Sequence, residues 1–324
     1  LVRTGRYDAV FPFGHYTIWH CVEHKAALEP HVRVPVPDRD VFMRSFDKAQ
    51  TMAFCMDHGI PCPYTYFPER EDLDAILGRA TFPLWLKPGI GIGAIGGRRI
   101  DTPEEARQYV GEFRRRYGEM ILQEFIPQED ARQLVCHVFL DAAARLRACM
   151  ISRKPRYFPL RGGTSTALES VHWPELADYC RQLFEGIGLT GIADADVIVD
   201  PRDGQPKVME INPRVSCSVK IGFAAGIDFA DMWLRLAMGW PVPARLDYPA
   251  GLVLRNLPQE ILWYLASDRT ARRNTAPPFW RFVGPNVVYQ TLAADDPLTF
   301  PGFVLNMLAK YRSAESRRRK FAGT

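Results

Sequence analysis

Four polar residues between positions 194 and 212 have the types and spacing for cation chemistry. The stretch DADVIVDPRDGQPKVMEINPR, Asp194 to Arg214, reads as two β-strands around the turn Asp200–Gly204. Pro201 fixes φ in that turn and Gly204 supplies φ > 0, while the flanks ADVIV and PKVMEI are rich in β-formers. A hairpin centred on Asp203 sets Asp196 opposite Glu210 and Asp194 opposite Asn212. Side chains alternate along a strand, so all four share one face, leaving Ala195, Val197, Val199, Met209 and Ile211 for a core. A slip of one residue would scatter the set. Three carboxylates and an amide on one face repel each other unless cations sit among them. Oxygen donors with no neighbouring Cys or His suit Mg²⁺ or Mn²⁺ rather than zinc. The same residues also suit a solvated outer face, and the hairpin alone does not separate the two.

Phosphate chemistry is the second theme. Five of the nine residues in GIGIGAIGG (89–97) are glycine, and Gly91, Gly93 and Gly96 form G-x-G-x-x-G. A dinucleotide fingerprint needs a helix directly after its last glycine. Here GRRIDTP follows, so the segment reads as a loop between strands whose amides can close over phosphates, with Lys87 at its base. The run ILQEFIPQED (121–130) ends a strand and enters a loop. There Glu124 and the Ile126 backbone suit an adenine edge, and Asp130 or Glu129 suits ribose hydroxyls. SRKPRYFPLRGGTST (152–166) reads as a loop with Arg153, Lys154, Arg156 and Arg161 near Gly-Gly. It is either an anion pocket or a basic surface loop; within it Arg153 and Arg161 are the candidates for gripping a substrate carboxylate by the guanidinium fork. His20, Glu23 and His24 fit H-x-x-E-H, a short pattern without a third ligand in context.

The elements that would position these groups alternate along the chain. YDAVF (7–11), HVRVPVP (31–37), FPLWLKP (82–88), RRI (98–100), EMILQEFI (119–126), RQLVCHVFL (132–140) and LRACMIS (146–152) read as strands. Helical spacing covers 38–59, a stretch within 69–80, 102–118 and 173–188. The third of these has Thr102 at N-cap, Pro103 at N1 and Glu105 at N3. Helical patterns return at 223–239 and near 302–318, with a weak pattern between.

The 324 residues predict two or three subdomains. Hydrophobic content of 47% with 24% charged residues is that of a soluble globular protein. A net charge of +4 is too small to indicate nucleic acid, and FRRRYG and SRRRKF read as solvated helix ends. Seven cysteines without a CxxC pair fit reduced thiols in the cytoplasm. No apolar run approaches the roughly 18 residues that span a bilayer. The sequence opens on Leu rather than Met, so a preceding segment is expected.

The order of the motifs carries a resemblance. Lys48 in FDKAQTMAFCMDHGIPCP is followed by Lys87 in LWLKPGIGIGAIGG, then LQEFIP, then the hairpin, then AAGIDFADMWLRLAMG. Asp196 stands fourteen residues before Glu210, with Asn212 and Arg214 following at steps of two. This resembles the ATP-grasp superfamily, in particular its carbamoyl-phosphate-synthase-like and carboxylate–amine ligase branch, over roughly residues 5–240. The resemblance implies an α/β (α+β) fold with two lobes gripping ATP. Lys48 and Lys87 would contact its phosphates, Gly91, Gly93 and Gly96 would form the lid, Gln123, Glu124 and Ile126 would hold adenine, and Asp130 the ribose. Asp196, Glu210 and Asn212 would bind two Mg²⁺, and Arg214 would stabilise the transferring phosphoryl group or the acyl-phosphate. Asp194 has no place in that set. The family's amino-terminal α/β domain is represented only in part.

The expected organisation is therefore a partial amino-terminal domain (1–46), a lobe with the glycine lid (47–118), a lobe with the metal site (119–240) and a carboxy-terminal extension (241–324). The expected activity is ATP-dependent ligation, in which a carboxylate becomes an acyl-phosphate and an amine, or a thiol, attacks it. Two alternatives are phosphorylation of bicarbonate or carbamate and a non-catalytic ATP-binding module. A single copy without repeat opposes the first, and the complete Lys/Lys/Asp/Glu/Asn/Arg set opposes the second. Expected partners are a small-molecule carboxylate and an amine, neither nucleic acid nor membrane, with a homodimer possible.

Overall fold

The computed structural model describes residues 5–91, 96–128, 132–160 and 163–312. Gly93, Glu129, Asp130 and Arg161 lie outside the described residues.

The amino-terminal region contains α1 (His15–Glu23), α2 (Lys25–Leu28), α3 (Arg39–Phe46) and α4 (Lys48–Asp57). The two strands expected here reduce to one parallel bridge, Ala9 to Arg33. Their valines are still buried: Val32, Val34 and Val36 pack with Ile18, Val22 and Phe42. The single helix expected over 38–59 breaks at Asp47, whose backbone is extended (ψ 113°) and whose carboxylate accepts from Ala49 N–H. That side chain caps α4, so Lys48 becomes a first-turn residue rather than a mid-helix one.

β1 (Thr65–Tyr66), α5 (Leu73–Arg79), β2 (Leu84–Pro88), β3 (Arg98–Ile100), α6 (Pro103–Tyr117) and β4 (Met120–Glu124) build the smaller lobe. Its sheet runs β1-β4-β2-β3 and is antiparallel throughout. As the sequence indicates, α6 begins with Thr102 accepting from Glu105 N–H and Pro103 at its start. Ala106 and Val110 of α6 and Ile76 and Leu77 of α5 cover Leu84, Leu86, Met120 and Leu122 on one face. Alternation leaves Trp85, Lys87, Ile121 and Gln123 on the other, with Trp85 opposite Gln123 and Lys87 opposite Ile121.

The remaining elements are β5 (Gln133–Leu140), β6 (Leu146–Phe158), β7 (Thr164–Ser170), α7 (Pro174–Ile187), β8 (Gly191–Val199), β9 (Pro206–Asn212), α8 (Lys220–Ala224), α9 (Phe229–Met238), β10 (Val253–Arg255), α10 (Leu257–Ala266), α11 (Arg269–Asn274), β11 (Val287–Tyr289) and α12 (Thr299–Tyr311). Among the described residues the larger sheet is ordered β11-β10-β7-β6-β5-β8-β9. The basic loop expected over 152–166 is instead largely strand. β6 continues to Phe158 because Arg156, Tyr157 and Phe158 are buried, and β7 returns from Thr164. The expected helix over 223–239 is likewise two, α8 and α9, separated at Gly226, where φ is +81°. The segment beyond 240 extends the same sheet, β10 pairing with β7 and β11 with β10.

Two cores sandwich the larger sheet. On one face α7 packs Leu176, Cys180, Leu183 and Phe184 against Cys136, Val138, Ala195 and Val197. On the other, Phe139, Met150 and Ile192 meet Phe229, Met232 and Trp233 of α9 and Leu254 of β10. His137 and Val135 lie on this second face, cross-strand from Asp194 and Asp196. The polar residues thus occupy the face that α9 covers elsewhere.

All seven cysteines are free thiols. Among the described residues no helix is long and apolar enough to cross a membrane.

Candidate functional site

The hairpin has the register expected at its polar end: Asp196 pairs with Glu210 and Asp194 with Asn212. Between Asp196 and Val197 a bulge shifts the register, so Val197 faces Val208. Val208 therefore enters the core in place of Met209, which leaves the Met209 carbonyl turned to accept from Lys87 Nζ at 3.3 Å. A bulge beside the acids re-aims the strand at that point.

Each carboxylate has its own ammonium. Lys154 from β6 reaches across β5 to Asp196, and Lys48 stands 3.2 Å from Glu210. Asn212 bridges the two acids through Nδ2, 3.2 Å from Asp196 and 3.5 Å from Glu210. Burial pushes the Asp196 carboxyl upward, but Lys154 and Arg214 outweigh it and hold it below its ordinary value. The repulsion expected among bare acids is therefore already relieved by two lysines. Among the described residues no group of three His, Cys, Asp or Glu side chains is arranged for a metal ion; the donor set here is two carboxylates and an amide.

Asp194 belongs to a different assembly. Its Oδ1 accepts from His137 Nδ1 at 2.6 Å and its Oδ2 from Arg214 at 3.0 Å. Arg214 Nε in turn donates to His15 Nε2 at 3.0 Å. The Asp194 carboxylate is buried, so it orients Arg214 rather than facing the two acids as an open donor. His15, His137 and the part Lys154 plays were missed by sequence reasoning. His137 and Asp194 are cross-strand partners, but 57 residues separate them and no turn reports the register. Only the strand order β6-β5-β8 brings Lys154 to Asp196.

Lys48 also anchors the glycine segment. Its N–H donates to Gly89 O at 2.9 Å and its Nζ to Gly91 O at 3.1 Å. The approach is close enough that a Cβ on Gly89 would lie 2.8 Å from Asp47 Oδ1. Gly96 has φ +80°, which favours glycine. Burial pushes the Lys87 ammonium down to about 8, with Glu210 offsetting part of the effect.

At the end of β4, Gln123 is fully buried and donates through Nε2 to Thr65 Oγ1 at 3.0 Å. Thr65 spends its own proton on Pro63 O, which fixes the Gln123 amide orientation and leaves Oε1 buried without a partner among the described residues. Ile126 is buried nearby in the chain. Glu124 is engaged by Arg202 from the hairpin turn and by Tyr64 N–H at 3.3 Å. Arg153 lies on β6, ion-paired with Glu169 of β7. Glu23 of the H-x-x-E-H pattern pairs with Arg39 at 3.0 Å, and the His20 and His24 rings pack edge to face.

The sequence description of the ATP-grasp domain matches residues 45–218. The D-aspartate ligase of Enterococcus faecium is 27% identical over 215 residues, covering 59% of this chain and 49% of that protein. A probable alpha-L-glutamate ligase of Xanthomonas campestris pv. campestris is 28% identical over 179 residues, covering 53% and 59%. The chain thus spans about half the length of the curated relatives it matches. In fold it is similar to a Campylobacter jejuni biotin carboxylase, with a TM-score of 0.63 at 16% identity over 73% of this chain and 56% of that one. The match covers both sheets' contributions to the site, from Lys48 through Arg214, and on it the chain belongs to the ATP-grasp domain family.

Proposed function

We propose that the protein is an ATP-dependent ligase that activates a small-molecule carboxylate as an acyl-phosphate for attack by an amine. The observation that carries this reading is the meeting of Lys48, Lys87 and Arg214 with Asp196, Glu210 and Asn212 between two lobes. Phosphoryl transfer depends on positioning and on cationic charge rather than on a nucleophilic side chain. In this reading Lys48 and Lys87 hold phosphates, and Gly91, Gly93 and Gly96 close over them. The orphaned Gln123 Oε1 is an acceptor suited to an adenine amine, with the Ile126 backbone beside it. Glu124 orders this edge through Arg202, and Asp130 takes the ribose.

The donors fit a hard divalent cation. Two carboxylates are held together by lysines that a cation would displace toward phosphates, and the Asn212 amide, turned over, would present an oxygen to the same point. We assign Asp196, Glu210 and Asn212 to two Mg²⁺ or Mn²⁺ ions. When bound, such ions neutralise charge on the phosphates. Arg214, clamped by Asp194 and His15, then points a fixed guanidinium at the developing charge. Seven free thiols and an ATP requirement suit a cytoplasmic enzyme, and a homodimer is compatible with it.

The test is Mg²⁺-dependent ADP release across pooled carboxylates and amines, with hydroxylamine replacing the amine. Hydroxamate formation supports an acyl-phosphate. ADP release with bicarbonate alone and no hydroxamate would move the assignment to bicarbonate phosphorylation, and nucleotide binding without turnover would make the chain a binding module. Arg153 enters only as a support for β6–β7, because Glu169 already fills its fork; Arg161 remains a candidate for the substrate carboxylate.

A further inference from the structure

A cavity of about 310 Å³ opens on the His15 side of the site, and among the described residues neither the two acids nor Gln123 and Ile126 line it. Among the described residues its lining is His15, Tyr16, Trp19 and Phe46 from the amino-terminal region, Ile90 and Gly91 from the glycine segment, and Pro88 and Tyr117. The lining is mostly apolar and dominated by rings. The volume lies at the low end of the roughly 300–1,000 Å³ of small-molecule sites and admits a ring-sized group.

Among the described residues one buried side-chain polar atom of this lining, His15 Nδ1, has no partner. Arg214 Nε can only donate, so His15 Nε2 accepts, and a neutral imidazole then carries its proton on Nδ1. Burial, followed by the Arg214 charge, lowers the His15 pKa below its ordinary value, which keeps the ring neutral. Nδ1 is buried and has no hydrogen-bond partner among the described residues. A buried unpaired donor is costly unless a ligand completes it. The cavity therefore joins aromatic walls to the buried His15 N–H, and that ring touches the guanidinium proposed to face the acyl-phosphate.

Building on the ligase reading, we infer that this cavity selects the carboxylate substrate: an aromatic side chain enters between Tyr16, Trp19, Phe46 and Tyr117 while a substrate oxygen accepts from His15 Nδ1. Rings in such a box gain edge-to-face contacts beyond area burial. Tyr16 is 82% exposed and forms the outer wall, so its removal leaves the fold intact.

Phenylalanine, tyrosine and phenylacetate are compared with alanine and acetate as activators of Mg²⁺-dependent ADP release. Their direct binding is followed by saturation-transfer NMR with and without a non-hydrolysable ATP analogue. Aromatic acids should show the lower KM, and Tyr16→Ala should raise it roughly five- to tenfold with the KM for ATP unchanged. His15→Asn should raise the same KM and also lower kcat through Arg214. If ATP turnover is intact but aromatic and aliphatic acids behave alike, or Tyr16→Ala changes nothing, the inference is overturned and the ligase reading stands. If the analogue displaces the aromatic probe, the cavity is a nucleotide site and the inference is again wrong. If the analogue does not bind at all, the ligase reading fails; aromatic-probe binding lost in Tyr16→Ala would then still establish the pocket, and no binding would remove it.

Discussion

Two clusters of charge sit on the same large sheet and are built in opposite ways. At its tail edge, Glu260 accepts from Arg156 Nε at 2.6 Å and from Arg255, and all three side chains are almost fully buried. Other guanidinium donors reach Thr275 Oγ1, Pro277 O, Phe279 O and Arg281 O, with the Trp263 and Phe282 rings alongside. At the other edge, Asp196 and Glu210 are 30% and 28% exposed, and each is held by one lysine. Guanidinium forks fix several bonds at once, whereas an ammonium is a single charge on a flexible stem. The first cluster locks residues beyond 240 onto β6 and β7. The second holds charges in a form that a phosphate or a cation can rearrange.

The largest expected effect is at Glu260. Glu260→Gln leaves two buried guanidiniums with no anion, and removing one partner of a buried pair costs about 3–5 kcal/mol. Denaturant unfolding should show that loss; an unchanged midpoint would mean the tail is not part of the cooperative unit. Glu210→Gln should do the reverse. Its carboxylate is partly exposed and faces one lysine, so stability should change by about 1 kcal/mol or less. ADP formation should fall about 10²-fold, since a cation held off line loses that much. Full activity in this variant would sink the assignment of the metal site. A smaller effect belongs to Asp194→Asn, which weakens the clamp on Arg214 without touching either acid. A roughly tenfold loss in kcat is expected, equivalent to about 1.4 kcal/mol of barrier, with Mg²⁺ dependence unchanged. A shifted Mg²⁺ requirement would instead place Asp194 among the ligands.

The difference between the clusters also explains what could be read from sequence. Asp196, Glu210 and Asn212 lie within one hairpin, where a turn and a period of two set the geometry. The bulge that exchanges Met209 for Val208 was invisible, because both residues suit a strand. Lys87 was legible as a cation at the base of a glycine loop and Lys48 through the family resemblance, but not the Asp47 cap that presents Lys48 or the Met209 carbonyl that receives Lys87. Contacts at long range were hidden altogether. His15 meets Arg214 across 199 positions, and Arg156 meets Glu260 across 104. The run 152–166 looked like a basic loop because Arg153, Lys154 and Arg156 are neutralised by Glu169, Asp196 and Glu260, which belong to other elements.

Lys87 sharpens the contrast between buried guanidiniums and buried ammoniums through its pH dependence. Burial lowers its folded-state pKa from 10.5 to about 8, while the unfolded chain keeps the ordinary value. Between these two values the unfolded state binds more protons, so this group's contribution to stability rises with pH. Below about 8 both states are protonated and the contribution is flat at its least favourable level. Nucleotide binding should run the other way. A phosphate beside Lys87 favours the charged form, so binding at pH 7 needs no proton, whereas at pH 9 one must be taken up. The Kd of a non-hydrolysable ATP analogue should therefore stay level from pH 6.5 to 7.5 and weaken severalfold, approaching tenfold per unit, above about 8. Lys87→Met should bind more weakly at pH 7 and lose the alkaline dependence, with apo stability no longer rising in the same window. Titration calorimetry in buffers of different ionisation enthalpy would count the proton directly. A wild-type affinity that stays flat from pH 7 to 9, or a Lys87→Met profile that keeps the alkaline loss, would remove Lys87 from the phosphates.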